Sequence, residues 1–234
     1  MSSATTELRI DVGRAGQVSA ILDHPDGARR LLVLGHGAGA DMRHASMQDT
    51  VRALTRQAFA TLRYQFPYTE RGSQRPDPQP TLLATVRAAV ARGRELAGAL
   101  PLFAGGKSMG GRMTSLATAD GGLEGVRGLV FFGFPLYPAG APATTRADHL
   151  AQVSLPMLFL QGSKDKLASL ELLRPVLERL GPRVTLHVVE RADHSFVVPK
   201  SSGRTRADVF DELAHVAAAW ADAVAGAADS TAEV

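Results

Sequence analysis

The stretch Leu102-Phe103-Ala104-Gly105-Gly106-Lys107-Ser108-Met109-Gly110-Gly111 decides how this chain is read. An apolar run ends in Gly-x-Ser-x-Gly, and a helical pattern over Met109–Ala119 follows at once. A serine at such a strand-to-helix junction is a nucleophile elbow: a sharp turn lifts the hydroxyl out of the sheet while other backbone passes close by. Gly106 and Gly110 lack the side chains that would obstruct that approach. The same letters also suit an ordinary glycine-rich connection, so the motif needs support from the rest of the chain. A phosphate-binding P-loop is excluded, because the position where that motif requires its first glycine is Pro101.

Working outward, short apolar runs alternate with longer amphipathic patterns, the signature of a largely parallel α/β sheet. Buried strands are predicted at 30–34, 101–104, 128–132, 156–160 and 184–189, with weaker strands at 17–22 and 58–63 and an N-terminal edge at 8–12. Helices are predicted over 47–57, 81–100, 109–119, 170–180 and 206–224. In the last, Val209, Leu213, Val216, Ala217 and Trp220 form one packing stripe. Residues 72–80 and 135–142 read as loops, and 226–234 as a frayed tail. With 234 residues and no long polar linker, one domain over 1–234 is expected.

A serine hydroxyl needs a base, since its own pKa leaves almost no alkoxide at neutral pH. His194 follows the predicted strand 184–189, whose C-terminal end shares a rim with the end that carries Ser108. His24, His44, His149, His187 and His215 read as surface or capping residues. A carboxylate should orient the imidazole. Asp165 follows the strand 156–160 and gives the chain order Ser108, Asp165, His194. Asp193 is the rival, disfavoured because adjacent turn residues seldom aim at one another. Oxyanion donors are sought in the Met109 N–H and in the loop Leu34-Gly35-His36-Gly37-Ala38-Gly39, where Ala38 N–H is the candidate and Gly39 the alternative.

At these residues the sequence resembles the α/β-hydrolase superfamily. It is similar to the dienelactone-hydrolase-like branch that includes the testis-expressed protein thirty and the hydrolase-like domain of lysine acetyltransferase eight regulatory complex subunit three. The carrying segments are 36–41 (HGAGAD), 63–68 (RYQFPY), 105–112 (GGKSMGGR), 162–165 and 193–196, spread over roughly residues 15–222. The resemblance implies a mainly parallel twisted sheet with helices on both faces and a minimal cap. It also implies that Ser108, Asp165 and His194 form a triad, and that the 36–39 turn donates to the oxyanion. Dienelactone hydrolases proper use a cysteine nucleophile, and this chain contains no cysteine. Their substrate does not carry over.

The expected activity is a serine hydrolase acting on small carboxylic esters, with no cofactor and no metal. The alternative is a non-catalytic binding or scaffold protein that keeps the hydrolase fold. Phe66, Tyr68, Phe134 and Tyr137 are candidate pocket residues, and the insertion 134–153 could cover the site. Arg63 reads as a tie between loops rather than as a substrate-carboxylate ligand. Lys+Arg exceed Asp+Glu only by 26 to 23, with no aromatic-interleaved basic stripe, which speaks against nucleic acid. No apolar run approaches the roughly 20 residues needed to span a bilayer, and residues 1–10 show no signal-peptide core. A cytoplasmic location is therefore expected; oligomeric state is left open by the sequence.

Overall fold

The strand interiors are apolar at consecutive positions, and in a computed structural model, which describes residues 3–231, those positions feed two separate cores. Along β3 (Arg30–Gly35), Leu31 and Val33 face one core while Leu32 and Leu34 face the other. The same alternation runs through β6 (Val126–Phe132) and β7 (Met157–Gly162). A strand needs apolar residues on both sides only when helices cover both faces of the sheet.

Eight strands form one sheet in the order β1-β2-β4-β3-β5-β6-β7-β8, adding β1 (Ser3–Asp11), β2 (Gln17–Pro25), β4 (Phe59–Tyr64), β5 (Leu102–Lys107) and β8 (Val184–Val189). The β1–β2 and β2–β4 pairs are antiparallel and the others parallel. Helices α1 (Ala45–Arg56) and α6 (Arg206–Thr231) pack together on one face. On the other lie α3 (Gln79–Ala97), α4 (Met109–Ala119) and α5 (Leu170–Leu180). On α6, Val209, Leu213 and Ala217 are buried, and the Trp220 ring lies 5.7 Å from Phe103.

Several boundaries move from those predicted, each for a local reason. The strand predicted to stop at Ala104 continues to Lys107, because Gly105 and Gly106 pair with β6 on one side and β3 on the other. Helix α3 starts at Gln79 with Pro80 in its first turn, where a missing N–H does no harm. It ends at Ala97 rather than Leu100, with Gly98 turning the chain at φ 56°. A four-residue helix, α2 (Pro67–Glu70), was not foreseen. The insertion 134–153 carries a 3₁₀ segment, Thr145–Gln152, lying against α4. Of the tail expected over 226–234, residues up to Thr231 continue α6, and residues 232–234 lie outside the described residues. No helix among the described residues is long and apolar enough to cross a membrane.

The tightest packing in the sheet is at Gly105, where an added Cβ would lie 1.9 Å from the Val130 carbonyl oxygen. That neighbour is central backbone and cannot move aside. Gly105→Ala should therefore cost about 3 kcal/mol or more. Urea denaturation checks this, and a loss below about 1 kcal/mol would contradict the packing.

Candidate active site

The site is assembled from strand ends. β5 delivers Ser108 in an unusual backbone conformation, φ 50° and ψ −115°, as the residue that caps α4. A non-glycine residue is held there only when its surroundings leave it no alternative. Those surroundings are two backbone approaches: a Cβ on Gly106 would lie 2.4 Å from the Gly35 carbonyl oxygen, and one on Gly110 would lie 2.3 Å from the same atom. Lys107 and Ser108 also flank Gly37, whose Cβ position is 3.6 Å from Ser108 Cβ. The loop after β3 thus borders the serine.

The turn after β8 brings His194 to Ser108, with Nε2 2.9 Å from Oγ. Its Nδ1 lies 2.7 Å from Asp165 Oδ2, on the turn after β7. Asp165 has a fully buried side chain, and the imidazole is partly exposed. An ionised carboxylate only accepts, so Nδ1 carries the proton and Nε2 is left to accept from the serine hydroxyl.

Asp165 is itself fixed. Its Oδ1 accepts the Leu167 N–H at 2.7 Å, and its Oδ2 also accepts from the Gln161 side-chain amide. Gln161 is completely buried, and its Oε1 accepts the Phe134 N–H at 3.0 Å. The sequence reading missed Gln161, since a glutamine inside an apolar strand announces nothing until its neighbours are known. The rival carboxylate, Asp193, accepts the Ser195 and Val197 N–H groups at 2.8 and 2.9 Å. It shapes the turn that presents His194, and its side chain points into that turn.

Met109 opens α4, where helix geometry provides its N–H with no internal acceptor. Ala38 and Gly39 follow Gly37 directly, and Gly39 adopts φ 71°. His36 is completely buried, its Nδ1 2.9 Å from the Gly37 carbonyl and its Nε2 accepting the Phe66 N–H at 3.2 Å. It joins this loop to the segment after β4. Desolvation pushes the His36 pKa down to about 4, so the ring is neutral at pH 7.

The four aromatic pocket candidates are corrected. Phe66, Tyr68, Phe134 and Tyr137 belong to the core, each at most 4% exposed. Phe66 and Tyr68 pack edge-on around His36, Phe134 sits among Phe131 and Phe159, and the Tyr137 hydroxyl accepts the Ser169 N–H at 2.7 Å. Their apolar surface is used to anchor loops. Arg63 is the expected tie: it pairs with Asp23 at 3.1 Å and donates to the Met42 carbonyl at 3.2 Å. His149, read as a surface residue, is partly buried, with Nε2 2.7 Å from Ser115 Oγ. Among the described residues no group of three or more His, Asp or Glu side chains could hold a metal ion.

A mostly parallel sheet with a strained serine between β5 and α4 defines the α/β-hydrolase class. The chain belongs to that family: the model for the alpha/beta hydrolase domain matches residues 28–222. Among solved structures it is similar to a dienelactone hydrolase from Anabaena variabilis, at 21% identity over 94% of this chain and 97% of that one, with a TM-score of 0.75. An alpha-beta serine hydrolase homologue from Coxiella burnetii matches at 20% identity, 89% and 95% coverage and TM-score 0.71. A member of the a/b serine hydrolases without lid from Xanthomonas campestris matches at 23%, 94% and 96%, and 0.70. At these identities the likeness concerns the fold.

Burial also pushes the His149 pKa down to about 4, helped by the nearby Arg112. Unfolded, both His36 and His149 would take up protons near pH 6.5. The unfolded state therefore binds more protons between about pH 6.5 and 4, and stability falls as the pH is lowered through that interval. Urea midpoints at pH 7.5 and 5 should show the drop, and His149→Gln should make it smaller. An identical drop in the variant would refute the assignment.

Proposed function

We propose that this chain is a serine hydrolase that cleaves small carboxylic esters through an acyl-enzyme. The observation that carries the reading is the unbroken hydrogen-bonded chain from Ser108 Oγ through His194 to the buried carboxylate of Asp165. Each member comes from a different strand end, and each bond has a length suited to proton transfer or orientation.

In this mechanism Ser108 Oγ bonds to the ester carbonyl carbon while its proton passes to His194 Nε2. The carbonyl oxygen becomes an oxyanion that accepts hydrogen bonds from the Met109 and Ala38 N–H groups. The bond to the leaving oxygen breaks, and the alcohol departs with the proton from Nε2. Water then attacks the acyl carbon, giving a proton to Nε2, and collapse of the second tetrahedral intermediate returns that proton to Ser108 and frees the acid. Asp165 keeps Nδ1 protonated and stabilises the imidazolium in each half-reaction.

The short insertion 134–153, whose 3₁₀ segment lies against α4, and the likeness to a serine hydrolase without lid support small substrates that need no deep enclosure. No step calls for a cofactor.

The protein should react with a fluorophosphonate probe and hydrolyse a short-chain p-nitrophenyl ester, and Ser108→Ala should lose both. A folded natural chain that never labels would instead favour the binding or scaffold reading. Comparing Asp165→Asn with Asp193→Asn tests the acid. The first should lower kcat by about 10³–10⁴-fold and the second far less; the reverse order would overturn the choice of Asp165.

A further inference from the structure

Lys107, the residue before Ser108, takes no part in that mechanism, yet its side chain runs from the elbow into the turn that carries His194. Its Nζ donates to the His194 carbonyl oxygen at 2.5 Å and stands 5.4 Å from the centre of the Phe196 ring. The space for the ammonium exists because residue 133 is glycine, with φ 71° at the end of β6. A Cβ there would lie 2.9 Å from Lys107 Nζ and 3.4 Å from His194 Cε1. The ammonium and the imidazole therefore flank the volume that a methyl group on residue 133 would fill. At the other end, Lys107 Cγ packs beside Gly37 of the loop after β3.

We propose that Lys107 is a positioning residue of the Ser108 site, its ammonium holding the His194 turn so that the imidazole spans Ser108 and Asp165. This rests on the serine-hydrolase reading above. The bond to a carbonyl is charge-assisted and directional. It fixes the backbone of the very residue whose ring must bridge the hydroxyl and the carboxylate. Phe196 adds a cation–π face from two residues further along the same turn.

Holding a charge there works against burial. Desolvation lowers the Lys107 pKa from its ordinary value to about 8, opposed by the carboxylates of Asp165 after β7 and Asp193 after β8. A depressed lysine pKa means that the charged form costs stability near neutral pH, a cost relieved as the pH rises through about 8. Lys107→Met keeps the stem and removes the charge together with the bond to the His194 carbonyl, and its Tm at pH 7 is measured beside its turnover. A loss of turnover in a variant that stays folded at the assay temperature comes from the site and not from unfolding.

The test measures fluorophosphonate labelling rates and p-nitrophenyl butyrate hydrolysis for the natural chain, Lys107→Met and Ser108→Ala between pH 6.5 and 9.5. Lys107→Met should lower kcat roughly ten- to a hundredfold and leave KM within about twofold, as expected when a bound substrate meets a misplaced base. The natural chain should lose turnover several-fold as the pH rises through about 8, and Lys107→Met should lack that decline. Full kcat in Lys107→Met overturns the proposal. Should that variant fail to fold, an undiminished kcat up to pH 9.5 in the natural chain overturns it instead. Labelling of Ser108→Ala at the natural rate would overturn the nucleophile assignment itself, an outcome distinct from either.

Discussion

The structure depends on a close approach of backbone to backbone around the turn between β5 and α4. Gly35 of β3 meets Gly106 and Gly110 at distances that exclude any side chain, and the Val130 carbonyl of β6 presses on Gly105 from the other side. Two parallel neighbours thus hold β5 to its last residue and force the chain to reverse within Ser108, which takes φ 50° and ψ −115°. A flexible loop would relax out of that conformation. Here it is retained by the two-sided core that anchors β3, β5 and β6.

From that fixed point the polar groups form a chain that runs from the partly exposed rim into the interior. Ser108 is partly exposed and His194 somewhat so, whereas Asp165 and Gln161 are enclosed. Gln161 joins the carboxylate to the backbone at Phe134, and Asp193 spends its own carboxylate on the turn that lifts His194. Buried polar groups satisfied in this way specify one arrangement, because each alternative would strand a donor or acceptor away from water. His36 does the same for the loop after β3: neutral and buried, it bonds both to its own loop and to the segment after β4.

The aromatic residues show where a local reading fails. Phe66, Tyr68, Phe134 and Tyr137 stand beside motif residues in the sequence, which suggested a pocket wall. Their rings instead turn inward, since loops at the rim of an open sheet need apolar anchors in the core beneath. Proximity along the chain gave no information about which way a ring would face.

What the sequence determined by itself was the part governed by local sterics and period: the two-sided strands, the alternation with helices, the glycine-framed turn at Ser108 and the chain order Ser108, Asp165, His194. Glycines at fixed spacing and continuous apolar runs have few structural solutions, so these features were legible without coordinates. Tertiary structure alone decided that Gln161 supports the Asp165 carboxylate, that Lys107 reaches the His194 carbonyl and that the aromatics are core. Those outcomes are set by side-chain direction across strands distant in sequence. Such directions depend on packing and hydrogen bonding between β5, β6, β7 and β8, which no single segment encodes.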